Sequence, residues 1–435
     1  MTPDQYASDL LREVGCAEAA IPAADTREES ELWAASGAQF LTGNADGPPL
    51  AAPAPLATCA RGAWLALTAL SAGALDANFP AHQLLGERAA LLGLRRQGSV
   101  SAGGACRLLD CADGQLALNL PRADDWELLP AWLEQPAGSW PDIAASLRNR
   151  GCEEMVERAR LLGLATAASQ PPEMQRDWFK AHTLAAPSPL PRRQPLVIDL
   201  SSLWAGPLCT HLMGLLGARV IKVESNTRPD GARAGSQAFF DLLNAGKESV
   251  ALDLASARGR EQLGALLARA DIVVEATRPR ALEQMGIKAV DVVRAGTGKV
   301  WLSITGYGRE APMREWIAYG DDAGVAAGLS WLLRQAGAGK VFCADAIADP
   351  LTGLHAALLG WAAWSRGGGV LLDVSLHGVV SRCIAAGQGA TKTGSVLHAP
   401  VHHPPRPPCA RPAAGAAAAL GTDTAHVLSE FGICT

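Results

Sequence analysis

A single carboxylate has the setting that covalent chemistry would need. Residues 341–364 read VFCADAIADPLTGLHAALLGWAAW. Asp349 falls where a β-prone run gives way to an Ala/Leu/Trp-rich run, and Pro350 follows it. Proline at the first helical position with Asp just before it marks a helix start. Two readings of Asp349 fit that position. As an N-cap, its carboxylate accepts from unpaired backbone N–H groups. As a nucleophile at a strand-to-helix turn, it stands where α/β proteins commonly expose reactive groups.

Other candidate chemistry is weaker. Asp321 and Asp322 are adjacent carboxylates, but successive residues point apart in regular structure and no metal ligand is spaced to join them. His402 and His403 lie among prolines, a poor setting for a metal site. Glu224 ends a strand-loop-helix-strand run and could mimic the acid that reads a ribose. The loop SSLWAGP has no GxGxxG, however, which argues against a nicotinamide dehydrogenase. The ten cysteines contain no CxxC pair, which predicts reduced thiols and neither a disulfide frame nor a zinc site.

The elements that would position Asp349 begin at residue 196. PLVID reads as a buried strand, SSLWAGP as a loop entering a helix near Pro207, and ARVIKVE as the next strand. This is a βαβ unit with a parallel sheet. SVALDL, DIVVE, VWLSI and VLLDVSL supply further strands, with helices at 254–269 and 279–286 and a last helix from about Thr424. The tail 394–417 is His/Pro/Ala-rich and reads as an extended segment. Before residue 190 the pattern differs. A helix is expected over Asp4–Val14 and another from about Ala60. CRLLDC and QLALNL flank Ala-Asp-Gly as a hairpin. Residues 123–165 read as helical, and the polar, Pro-rich 166–195 as the connection between a smaller α+β domain (1–190) and a larger α/β domain (191–435). A faint internal repeat lays PLATCARGAW over AIADPLTGLH, so that Thr58 takes the place of Asp349.

Composition bounds the rest. The chain has 435 residues, 49% hydrophobic and 19% charged, which suits a globular protein with two or three domains. A net charge of −5 offers no basic field for nucleic acid or an anionic membrane. No apolar run is long enough to span a bilayer, and residues 1–33 hold no signal-type core. A cytoplasmic protein is the expectation.

Taken together, LVIDLSSLWAGPLCTHLMGLLGARVIKVE, the PDGAR segment (229–233), NAGKESVALDLASARGREQLGALLARADIVVEATRPRALEQMGI, VWLSITGYG and LGTDTAHVLSEFGI resemble the family III CoA-transferases of the CaiB/BaiF type. The resemblance spans 196–385 and 418–433 and implies that family's Rossmann-like parallel sheet flanked by helices. Asp349, Gly353 and His355 match the family's AxxDxxxGxH segment. The implied chemistry is attack of Asp349 on an acyl-CoA thioester, giving an acyl-aspartyl anhydride and then an aspartyl-CoA thioester, from which a carboxylic acid takes the CoA. Coenzyme A and acyl-CoA would be substrates, with no other bound cofactor.

GSVSAGGACRLLDCADGQLALNL resembles the family's small domain but precedes the nucleotide-fold half, so the chain looks permuted or fused. Gly103-Gly104 either matches the family's glycine-rich loop or is an ordinary turn. The resemblance implies CoA contacts from Ser202, Leu203 and Trp204; otherwise they form a helix-entry loop with Trp204 in the core. Ser225, Ala276 and Gln284 replace polar family residues. Arg228, Arg233, Lys247 and Arg278 could compensate as phosphate partners, or be solvated surface charges. Leu252 and Tyr319 keep family-like identities, Leu252 also suiting the core. Two alternatives accompany transfer. An α-methylacyl-CoA racemase would need a histidine where Tyr319 stands, and a non-catalytic acyl-CoA-binding subunit would need no Asp349 chemistry. The family's interlocked homodimers imply a dimer, or a monomer if the permuted halves close on themselves.

Overall fold

The computed structural model describes residues 1–173, 177–188, 194–387 and 403–434. The expected hairpin forms from Cys106–Asp110 (β1) and Gln115–Asn119 (β2), antiparallel, with Cys106 opposite Asn119 and Asp110 opposite Gln115. Ala165–Ala168 (β3) adds a third antiparallel strand. The four helices Ala123–Glu127, Leu129–Leu133, Trp140–Leu147 and Cys152–Leu162 fill the expected helical stretch. Their apolar residues, among them Trp132, Ile143 and Met155, form a core of their own with Leu116 and Leu118 of β2.

The large sheet has seven strands. They are Phe179–Thr183 (β4), Leu196–Leu200 (β5), Arg219–Ser225 (β6), Glu248–Leu252 (β7), Ile272–Glu275 (β8), Val300–Thr305 (β9) and Val370–Ser375 (β10). Their order is β4-β10-β9-β8-β5-β6-β7. All neighbours are parallel except β4, which runs antiparallel to β10. Helices cover both faces of β5 and β8, so these strands read as near-continuous apolar runs. The fold is thus a Rossmann-like α/β sheet with a small antiparallel domain beside it. Strand order reverses at β5, whose neighbours are β6 and β8, and the crevice beyond their carboxyl ends is where open α/β sheets bind ligands.

The stretch 166–195, expected to be only a connection, carries β3 and β4. β4 is an exposed edge strand, FKAHT, and an edge facing solvent leaves no apolar alternation to read. Within the tail, residues 394–402, His402 included, lie outside the described residues, and 403–417 have no regular structure.

The largest apolar core joins the two ends of the chain. Helix Pro3–Glu13 contributes Tyr6 and Leu10, helix Leu56–Ala69 contributes Trp64 and Leu65, and helix Ala348–Ser365 contributes Leu354 and Leu358. The last two helices are apolar around their whole circumference, the pattern of a helix with no solvent face. The paired runs of the internal repeat therefore both end up central. At the start of Leu56–Ala69 the Glu29 carboxylate accepts from the N–H groups of Ala57 and Thr58 at 3.1 and 2.7 Å.

Candidate active site

Helix Ala348–Ser365 starts two residues earlier than the Pro350 signal implied, so Asp349 is its second residue and not its cap. The preceding segment is also not a strand. It is a turn in which Ala344 and Ala346 take left-handed backbone angles (φ 57° and 42°), uncommon for residues with a Cβ. Side chains from elsewhere hold that turn: Thr42 Oγ1 accepts from Ala344 N–H at 2.9 Å, and Asp321 Oδ1 accepts from Ala346 N–H at 2.9 Å.

Two glycines set how closely the neighbouring elements approach. A Cβ on Gly353 would lie 2.8 Å from Ala205 O, so helix Ala348–Ser365 can cross helix Ala205–Leu215 at near backbone contact. A Cβ on Gly320 would fall 2.2 Å from the Asp349 carboxylate. The N–H groups of Ala205 and Gly320, each the first residue of its helix, stand beside the Asp349 carboxylate. Such donors favour the anion. Burial opposes them more strongly, and the nearby Asp321 adds to it, so the Asp349 carboxyl is raised to about 7 against the pull of Arg88.

Asp349 opens on a cavity of about 690 Å³ at the carboxyl ends of β5, β6 and β8. Ser202, Leu203, Arg228, Arg278 and Tyr319 line the same cavity. Leu203 has a left-handed backbone (φ 71°) and an exposed side chain, and its N–H donates to Asp230 Oδ1 at 3.0 Å. Among the described residues the Arg228 and Arg278 side chains form no ion pair or hydrogen bond, which leaves both free for an anion.

Four expected contacts lie away from the cavity wall. Trp204 is buried edge-on against Phe239, with ring centroids 5.3 Å apart. Arg233 pairs with Glu224 at 2.6 Å and stacks over Phe240. Leu252 is core. Lys247 is buried, and its Nζ donates to Asp199 (3.0 Å), Thr210 (2.8 Å), Asn244 (2.9 Å) and the Pro207 carbonyl (3.0 Å). It has no proton left for a phosphate. Lys247 and Lys222, which pairs with Asp230 at 2.9 Å and donates to Ser201 O at 2.7 Å, instead brace the loop after β5.

His355 is likewise structural, bonded to Tyr6 Oη (2.9 Å) and Leu351 O (2.7 Å) in the core. Asp321 and Asp322 do diverge: Asp322 accepts from Asn119 at 2.9 Å, whereas Asp321 faces the Ala344–Ala346 turn. Among the described residues no group of three or more His, Cys, Asp or Glu is arranged to hold a metal, and no helix is long and apolar enough to cross a membrane. Gly103-Gly104 forms a turn, with Gly104 at φ 84° and its N–H on Ser101 O at 2.8 Å, and that turn packs against Arg88.

Sequence reasoning missed three groups. Arg122, from the small domain, lines the cavity. Arg88 and Asp345 form an ion pair behind Asp349. No local pattern distinguishes these residues, because each acquires its neighbours through the tertiary fold.

Residues 193–404 match the family model described as CoA-transferase family III. An acyl-CoA transferase of Fusarium pseudograminearum (strain CS3096) is 32% identical over 181 residues, 38% of this chain and 40% of that protein. The succinyl-CoA:glutarate CoA-transferase of Mus musculus is 32% identical over 167 residues, 37% of this chain and 38% of that protein. The chain thus spans no more than 40% of the length of either relative. A solved CAIB/BAIF family protein from Brucella suis is 26% identical, covers 47% of this chain and 60% of its own, and superposes with a TM-score of 0.41. Over residues 193–404, just under half of its length, the chain is thus similar to CoA-transferase family III.

Proposed function

We propose that this chain transfers coenzyme A between an acyl-CoA thioester and a carboxylic acid, with Asp349 as the nucleophile. The observation that carries the reading is one carboxylate at the wall of a cavity of about 690 Å³, with the backbone N–H groups of two helix starts beside it. A carboxylate is a weak nucleophile. Partial removal from water and fixed orientation are what it needs. The cavity is of a size that holds a cofactor-sized molecule.

The Asp349 carboxylate attacks the thioester carbonyl, the C–S bond breaks, and CoA thiolate leaves from an acyl-aspartyl anhydride. The thiolate attacks the Asp349 carbonyl and expels the donor acid as a carboxylate, leaving aspartyl-CoA. The acceptor carboxylate then attacks this thioester, releasing the thiolate and forming a second anhydride. Thiolate attack on the acceptor carbonyl yields the new acyl-CoA and restores Asp349. The N–H groups of Ala205 and Gly320 are placed to stabilise negative charge on the Asp349 oxygens at each return to the carboxylate.

Ser202 and Leu203 would meet the pantetheine arm, and Arg228 and Arg278 would take phosphate or carboxylate oxygens. The Mus musculus relative is named for succinyl-CoA and glutarate, and small carboxylic acids as CoA esters are the substrate class assigned here. Racemisation is disfavoured. It needs a second base where Tyr319 stands, and burial raises that phenol further above its ordinary value.

The test is an Asp349→Asn protein assayed with a panel of acyl-CoA donors and labelled acids. Wild-type exchange with a loss of about 10³-fold or more in the variant is expected. Exchange by the variant at the wild-type rate would rule the mechanism out.

A further inference from the structure

The polar cluster behind Asp349 is assembled from segments far apart in the chain. Arg88, on the short helix Glu87–Leu92, meets Asp345, 257 residues further on. Its Nε donates to Asp345 Oδ2 at 2.9 Å and its Nη2 to Asp345 Oδ1 at 2.5 Å, a two-pronged contact. The Asp345 side chain is wholly buried.

Arg88 has two further neighbours. Its guanidinium carbon lies 5.5 Å from the Trp204 ring centroid. Trp204 directly precedes Ala205, whose N–H meets Asp349. Gly103 leaves the guanidinium its space, because a Cβ there would stand 3.0 Å from Nη2. Asp345 itself sits in the turn between the left-handed Ala344 and Ala346, which delivers the chain to Asp349.

The charges are unequal in number. Asp321 faces both Asp345 and Asp349, and Arg88 is the cation that acts on all three. The other groups facing Asp321 are the Ser101 hydroxyl, the Cys106 thiol and Asp322. Burial with Asp345 alongside raises the Asp321 carboxyl to about 6.

We propose that Arg88 is a positioning residue for the Asp349 reaction: its grip on Asp345 holds the turn that presents the nucleophile, and its charge offsets the surrounding carboxylates. Two segments 257 residues apart thereby complete one site within one molecule. The proposal rests on Asp349 being the nucleophile.

The experiment compares wild type, Arg88→Met and Arg88→Lys. Folding is checked by circular dichroism, and the acyl-CoA-to-acid exchange rate is followed against pH. Removing the cation makes Asp349 harder to ionise, so the midpoint of the rising limb moves up by about one pH unit or more in Arg88→Met. Arg88→Lys restores most of that shift. A purely structural role would lower the rate at every pH and leave the midpoint in place, which would overturn the proposal. Where Arg88→Met does not fold, Asp345→Asn carries the test with the opposite sign. One carboxylate fewer moves the midpoint down, and an unmoved midpoint again overturns the proposal. Hydroxylamine trapping on wild type separates the two layers. Transfer without a hydroxamate at Asp349 refutes the nucleophile assignment itself, and the role of Arg88 falls with it.

Discussion

Burial lifts the Asp349 carboxyl to about 7, with Asp321 pushing the same way and Arg88 and two backbone N–H groups pulling back. A group whose value is raised on folding favours the fold while protonated. That contribution is complete below its ordinary value of 3.8 and is lost as pH rises through about 7. The anion that the proposed mechanism needs therefore costs stability. Asp349→Asn, which never ionises, should be more stable than wild type by about 1–3 kcal/mol near pH 8, with the gap closing towards pH 4. Urea midpoints at the two pH values measure this, and a gap independent of pH would contradict it. Transfer should rise with pH through about 7, because the attacking form is the carboxylate. Asp349 was legible in the sequence through its spacing from Gly353 and His355. Arg88 and Asp345 were not, since a partner 257 positions away leaves no periodic or motif signal. Lys247 misled for a related reason: a buried lysine saturated by four acceptors and a free surface lysine look alike in one dimension.

Elements reach their close approaches through small residues. Helix Gly320–Ala326 can bring its first N–H to Asp349 only because residue 320 has no side chain. Gly320→Ala would place a methyl 2.2 Å from Asp349 Oδ2 and 2.3 Å from Ala346 O. Overpacking of this kind costs about 1–3 kcal/mol. The variant should lose that stability in chemical denaturation and lose transfer as well. Gly264, inside helix Ala257–Arg269 with nothing within 4 Å of a Cβ, is the control. Gly264→Ala should gain about 0.5–1 kcal/mol and keep its activity. If both variants lose stability alike, the close-approach argument is wrong. Strands β5 to β10 were legible because they carry the buried apolar runs of a helix-covered sheet. β4 was not, because an exposed edge strand carries polar residues. The turn before Asp349 resembled a strand because alanine gives no warning of a left-handed backbone.

At the scale of the whole molecule, the apolar core does not respect sequence position. Tyr6, Trp64, Leu208 and Leu354 belong to one cluster, whereas Trp132, Ile143 and Met155 belong to another. Cooperative units follow shared cores. In hydrogen exchange read by mass spectrometry, peptides from Leu56–Ala69 and Ala348–Ser365 should open together. Peptides from β1, β2 and Cys152–Leu162 should form a separate unit. Independent opening of the two central helices would contradict this. That a small hairpin-bearing unit precedes the parallel strands was visible in the sequence. That the first ninety or so residues wrap the Asp349 helix was not, since the internal repeat hinted only at likeness and said nothing of contact.

The central claim is that Asp349 becomes acylated. It is tested most directly by incubating the intact protein with a panel of acyl-CoA donors, adding hydroxylamine, and mapping hydroxamates by peptide mass spectrometry. The account predicts a hydroxamate on the peptide that carries Asp349, dependent on acyl-CoA and absent from Asp349→Asn. Transfer proceeding at full rate with that peptide unmodified, or with the label on a different carboxylate, would contradict it.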